Sequence, residues 1–313
     1  MIWVLTLYAL FASVFTISKT GLENVQPFFF VGSRMILAGV ILLAYQWIKQ
    51  PESFKMRELP WKKLVGLALF NIYLTNVFEF WGLQYLTSFK TCFIYSLSPF
   101  VSALLSYFVF TEKLTSKKWI GLTVGFLGFL PILLNETAKE ELAGHFFLFS
   151  WAEIAVMMAA VCSVYGWILL RQLVKDHGSS PALANGLSML IGGAFALAHS
   201  ALVEKWDPTP VYGSGITFIE CSILLIAISN LICYNLYGNL LKKYSATFMS
   251  FAGFSTPLFT ALFGWVYLGE VVTWPFYLSA GIVFVGLLMF YQEELQRDFY
   301  KKEPETSTVV ASD

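Results

Sequence analysis

Residues 98–115 read S-P-F-V-S-A-L-L-S-Y-F-V-F-T-E-K-L-T, and residues 256–273 read T-P-L-F-T-A-L-F-G-W-V-Y-L-G-E-V-V-T. In each block a proline precedes a glutamate by 13 residues, so Pro99 and Glu112 map on Pro257 and Glu270 at one offset of 158. The same offset carries Phe126 onto Phe284 and Gly128 onto Gly286. An internal repeat fixes architecture before any local propensity is read. Weaker echoes occur earlier in each half: Pro27 and Gly39 against Pro181 and Gly193, and Trp81-Gly82 against Tyr237-Gly238. Two like halves are expected to make one molecule.

The solvent for those halves follows from charge. Only 13% of the 313 residues are Asp, Glu, Lys or Arg and 57% are hydrophobic, whereas soluble domains carry about 25% charged residues. A spanning helix needs about 17–25 mostly apolar residues. Breaking the chain at its charged, Pro and Gly-rich points gives ten such segments, at 2–18, 28–48, 63–85, 91–111, 118–135, 148–170, 182–203, 216–240, 246–268 and 274–292. The expected fold is an all-α membrane protein of ten transmembrane helices. Residues 1–135 form the first five-helix repeat, 148–292 the second, and 293–313 a polar cytoplasmic tail.

Lys and Arg collect in cytoplasmic loops. With the N-terminus inside, the cytoplasmic side holds all of the 20 except Lys19, Lys90, Lys139 and Lys205 outside and Arg34 within a helix, so both termini are expected to be cytoplasmic. Because five is odd, the second half enters the membrane inverted relative to the first. Inverted repeats are a recurring plan of secondary transporters, with the substrate site near the midplane between the halves.

The Pro99…Glu112-Lys113-Leu114 pattern, its second copy at Pro257…Glu270, Arg34 in the second segment and the run Gly82-Leu83-Gln84-Tyr85-Leu86-Thr87-Ser88 together resemble the EamA family of the drug/metabolite transporter superfamily. The resemblance covers residues 1–292, and Phe89 and Lys90 depart from it where small residues are usual. It implies an alternating-access carrier of a small organic metabolite in a bacterial inner membrane, with no cofactor. Within the family the likeness is to carriers of S-adenosylmethionine, implying its uptake in exchange for S-adenosylhomocysteine. Proton-coupled export of an amino acid or drug is the alternative.

Ionisable groups at membrane depth are costly and call for a reason. Arg34 reads either as a bidentate donor to a substrate carboxylate or as a structural cation. Glu79, among Phe78, Phe80 and Trp81, reads as a site for a substrate cation or a proton, or as half of an ion pair with Arg34 or Lys90. Lys90 can snorkel to water. Glu153 and Glu220 sit near helix starts, where an acid complements the dipole. Glu112 and Glu270 read as structural anchors, and Pro99 and Pro257 as kinks. Asn76 and Asn235 place amides in the third and eighth helices, where polar side chains join helices. Tyr95, Trp167 and Tyr234 are aromatics that would stack on a planar group or hold a cation. An adenine, a sulfonium, an ammonium and a carboxylate would use this set, as would an amino acid with a large apolar side chain.

Other classes lack support. Net charge is zero, which gives no surface for nucleic acid. His145, His177 and His199 are scattered, without HExxH, G-x-S-x-G or metal-ligand spacing, so neither an enzyme nor a metal site is expected. Cys92, Cys162, Cys221 and Cys233 read as packed thiols. The expected partners are the metabolite and the lipid bilayer, and nothing sets the oligomeric state.

Overall fold

The computed structural model describes residues 2–49, 51, 60–110, 115–135, 137–175, 180–233, 236–237, 240, 249 and 251–300. Among them the elements in order are α1 (Ile2–Leu22), α2 (Pro27–Lys49), α3 (Trp61–Tyr85), α4 (Ser88–Tyr95), α5 (Ser98–Phe110), α6 (Ser116–Leu133), α7 (Ala138–Glu141), a hairpin of β1 (His145–Phe146) and β2 (Phe149–Ser150), then α8 (Trp151–Lys175), α9 (Pro181–Val203), α10 (Gly215–Cys233), α11 (Thr256–Leu268) and α12 (Trp274–Tyr300). Among the described residues, eight stretches are long and apolar enough to cross a membrane: Ile2–Leu22, Pro27–Lys49, Trp61–Tyr85, Ser88–Leu105, Trp151–Val174, Pro181–Val203, Gly215–Cys233 and Trp274–Gln292. Of the other two expected segments, α6 carries Lys117 and Lys118 in its first turn, and the described part of the ninth holds the 13-residue α11 after a 3₁₀ turn.

Several boundaries differ from the sequence expectation, and two of the differences have a clear local cause. The sixth segment starts at Trp151, because Ser150 and Glu153 form a reciprocal cap: the Glu153 N–H donates to Ser150 Oγ at 3.1 Å, and the Ser150 N–H donates to Glu153 Oε2 at 2.9 Å. Such a capping box satisfies two donors that a helix start would leave bare. The fourth segment is two helices, broken at Ser96 and Leu97. Pro99 has no N–H and would crowd the carbonyl four residues earlier, which is that of Tyr95; the Ser98 hydroxyl takes that carbonyl instead, at 2.7 Å. The same device recurs before Pro257, where the Thr256 hydroxyl donates to the Gly253 carbonyl at 2.7 Å, after a 3₁₀ turn over Gly253–Ser255. The two prolines therefore stand just inside the starts of α5 and α11, with no kinked helix running through them.

The third and eighth segments each contain a π-helical stretch, at Ala68–Leu74 and Ile226–Cys233. Nothing in the hydrophobic pattern signals these, since the wider turn shifts the register by one residue without changing composition. Their first residues stand 158 apart in sequence, the offset that relates the two prolines. Such bulges are rare and concentrate at functional sites.

Close helix approach rests on small residues, as is usual where lipid supplies no hydrophobic drive between helices. In the α6–α12 crossing, a Cβ added to Gly286 would meet Gly125 N at 2.5 Å and its Cα at 2.7 Å. Both atoms are backbone, so relief requires the helices to part. Gly281, on the same helix, would meet nothing within 4 Å. Gly286→Leu is therefore expected to lose about 1–3 kcal/mol of stability through overpacking, while Gly281→Leu is tolerated. A thermal melt of the detergent-solubilised variants checks this, and equal midpoints for the two would contradict the crossing.

The core beside that crossing is aromatic, with Phe93 against Phe129 at 4.8 Å and Phe276 at 5.7 Å between ring centroids. All four cysteines are buried and free.

Candidate functional site

One end of the bundle is closed by charges at helix termini. Glu204 accepts from the Phe28 and Phe29 N–H groups at 2.6 and 3.0 Å, covering the start of α2. Glu270 accepts from the Ser88 N–H and Ser88 Oγ, each at 2.7 Å, covering the start of α4. Glu153 does this for its own helix, α8. Each carboxylate meets the positive end of a helix dipole and satisfies donors that the helix cannot use. Lys19 plays the opposite part at the end of α3. Its ammonium donates to the carbonyls of Leu83 and Leu86, and at 3.3 Å to that of Gln84.

At the same end Lys90 does not snorkel to the surface. It is 2% exposed, and its Nζ lies 2.8 Å from Glu140 Oε1, 2.8 Å from Glu153 Oε1 and 3.1 Å from the Asn135 carbonyl. Burial is tolerable because every charge has partners: Ser150 Oγ donates to Glu140 at 3.1 Å, and each glutamate belongs to a capping box. The cluster ties α4 to α7 and α8, across the connection between the two halves of the chain. It also removes Lys90 as an ion-pair partner for Glu79.

Deeper in the bundle the structure brings Arg34, Asn76 and Glu79 together. Arg34 is 3% exposed; its Nη2 donates to Asn76 Oδ1 at 3.0 Å and its Cζ stands 5.0 Å from the centroid of the Phe80 ring. Asn76 is aimed by its own helix, donating at 2.8 Å to the carbonyl of Ile72, which lies in the π-helical stretch. Glu79, one turn further along α3 and partly buried, is within electrostatic reach of Arg34 and of the Cys92 thiol. The helix of Cys92, α4, packs against α11, where Thr260 is fully buried beside that thiol and donates to the Thr256 carbonyl at 3.0 Å. The group thus draws on α2, α3, α4 and α11, so on both halves of the chain. It offers an anion, a cation held by an amide and an aromatic face, and two small polar groups.

Other candidates lie further off. Tyr95 ends α4 at the break and packs edge-on against Phe15 of α1, 6.2 Å between centroids. Trp167 is 39% exposed. Its neighbour Gly166 touches Asn71, about two turns of α3 from Glu79. Glu112, Tyr234 and Asn235 lie outside the described residues. Sequence reading missed Thr260, whose only sign was a polar residue in an apolar run, and Glu204 and Glu140, which looked like ordinary loop acids.

An interior polar group reached from both halves of a polytopic helical bundle is the arrangement of a membrane transporter. The sequence profile of the EamA-like transporter family matches residues 1–134 and 150–292, and the chain belongs to that family. A Chlamydia muridarum protein named S-adenosylmethionine/S-adenosylhomocysteine transporter is 38% identical over 93% of this chain and 91% of its own length. Its Chlamydia trachomatis counterpart is 38% identical over 93% and 88%. YedA, an inner membrane transporter of Escherichia coli, is 22% identical over 90% and 87%. A solved crystal structure at 15% identity shares the fold, with a TM-score of 0.64 over 95% of this chain and 96% of that one.

Proposed function

We propose that this transporter brings S-adenosylmethionine across a bacterial inner membrane in exchange for S-adenosylhomocysteine, by alternating access of two inverted five-helix halves, residues 1–135 and 148–292. Both termini are cytoplasmic, with 293–313 as a tail, and the end carrying Lys90 and Glu204 faces outward. The observation that supports the substrate is Glu79 standing within electrostatic reach of an Arg34–Asn76–Phe80 group, on a chain 38% identical to carriers bearing that substrate's name. S-adenosylmethionine presents a sulfonium, an α-amino-acid head and an adenine. Glu79 answers the sulfonium, Arg34 the carboxylate, and the aromatics Tyr95, Trp167 and Tyr234, with Asn235, the adenine.

The halves are supported by two devices that recur 158 residues apart, the π-helical stretches and the hydroxyl-capped prolines. A break before Pro99 and a 3₁₀ turn before Pro257 give each half a place to bend. Glu270 anchors a helix start and does not touch substrate, and Glu112 has the matching role in the other half.

The test is counterflow. Liposomes carrying the purified protein and preloaded with unlabelled S-adenosylhomocysteine are offered labelled S-adenosylmethionine beside a panel of amino acids. Uptake is expected to depend on the internal load and to saturate. Uptake indifferent to the load sinks the exchange, and a preference for an amino acid replaces the substrate.

A further inference from the structure

At the end of the bundle assigned above to the outside, a cavity of about 370 Å³ opens between α1, the end of α3, α7 and the loop before α10. A second, of about 230 Å³, shares Lys19, Glu23, Tyr85 and Lys139 with it and extends to Glu270 on the far side. The larger volume falls within the range of about 300–1,000 Å³ typical of small-molecule sites.

Four charges line this space, and two are already engaged. Lys19 spends its ammonium protons on the three carbonyls at the end of α3, and both Glu270 oxygens accept from Ser88. Glu23 and Lys139 are exposed, and among the described residues neither side chain takes part in a hydrogen bond or salt bridge. They offer one free anion and one free cation over a cavity whose floor is a buried ammonium. Tyr85 and Tyr212 add aromatic surface. Tyr212 donates to the Leu22 carbonyl at 2.7 Å, and burial, then the carboxylates of Glu23 and Glu204, hold its hydroxyl above the usual tyrosine range, so it stays a neutral wall.

We propose that this cavity is an outer loading site for the α-amino-acid head of the substrate, where Lys139 meets the carboxylate and Glu23 the ammonium before the molecule moves to the group around Glu79. The buried charge of Lys19 adds to the pull on the carboxylate without spending a hydrogen bond on it. Because the cavity is lined from both halves, by α1 and α3 on one side and the loop before α10 and Glu270 on the other, with α7 from the connection between them, relative motion of the halves changes its shape. The choice of S-adenosylmethionine as cargo rests on the preceding reading; the head-group chemistry does not.

The experiment has two arms. Equilibrium binding of methionine, of methionine methyl ester and of 4-(methylthio)butanoate to purified protein is measured for wild type, Glu23→Gln and Lys139→Gln. Only methionine, which has both charges, is expected to bind well. Each substitution should weaken it about three- to fivefold, the scale of a solvent-exposed ion pair, and both effects should shrink in high salt. Counterflow of labelled S-adenosylmethionine forms the second arm: KM rises in both variants by a similar factor, flux at saturating substrate changes less than twofold, and the salt dependence of kcat/KM flattens. If the variants bind methionine as wild type does, or if the ester and the ammonium-free acid bind equally well, the loading site is wrong. If methionine binding behaves as expected but wild type fails to take up S-adenosylmethionine, the site stands and the cargo is wrong.

Discussion

Lys90→Leu is expected to remove about 3–5 kcal/mol of stability, the usual result of stripping one partner from a buried ion pair. Against a typical total of about 5–15 kcal/mol, that is enough to leave little folded protein. Glu140 and Glu153 are both 0% exposed, and each sits 2.8 Å from Lys90 Nζ, so the substitution would strand two carboxylates facing one another where no water reaches. Their helix-start donors, Thr137 and Ser150, soften the cost but supply no full positive charge. Yield of monodisperse protein and its melting midpoint report the loss. The triple variant Lys90→Leu, Glu140→Gln, Glu153→Gln should recover most of it, since amides keep the hydrogen bonds without the charge. A single variant as stable as wild type would mean that the cluster is not dry, and an unrescued triple variant would mean that shape, not charge, is what Lys90 contributes.

That cluster also marks where sequence reading stopped. Lys90 at the start of an apolar run has the same appearance whether it reaches for water or for two acids from residues 140 and 153, because the second answer depends on how the 135–150 connection folds back. The membrane character and most helix positions were legible, since they follow from apolar length and the spacing of charges. The break at Ser96–Leu97 was half legible: Pro99 announced a disturbance, but the hydroxyl of Ser98 decided that the helix would stop and restart. The π-helical stretches left no trace in the pattern, although the first of them supplies the Ile72 carbonyl that holds the Asn76 amide. Of the candidate site, Arg34 and Glu79 were singled out by the cost of buried charge, and Asn76 as an amide in an apolar helix. Thr260 and Cys92 were not, because uncharged small residues carry no such signal and become visible only when α4 and α11 are laid together.

Glu79→Gln is expected to separate the two proposed cargoes. S-adenosylmethionine and S-adenosylhomocysteine share the adenosine and the amino-acid head and differ by one methyl group and one positive charge at sulfur. A carboxylate that meets the sulfonium therefore favours the first over the second, and an amide of the same shape does not. Charge-assisted interactions contribute about 1.5–3 kcal/mol, so the ratio of the two apparent affinities should fall by about 10- to 150-fold. Taking the ratio cancels any loss of folded protein, since both cargoes are measured on one preparation. Equal weakening of both would place Glu79 in the support of Arg34, which lies within its electrostatic reach. The same charge difference has an energetic consequence for the cycle. If Glu79 returns ionised with the neutral product, each exchange moves one positive charge inward, and an inside-negative potential of 100 mV drives it by about 2.3 kcal/mol. Uptake should then quicken when a potassium diffusion potential is imposed on the liposomes. A rate that ignores the potential but follows a pH gradient would mean instead that Glu79 carries a proton back with S-adenosylhomocysteine, making the carboxylate the site of coupling.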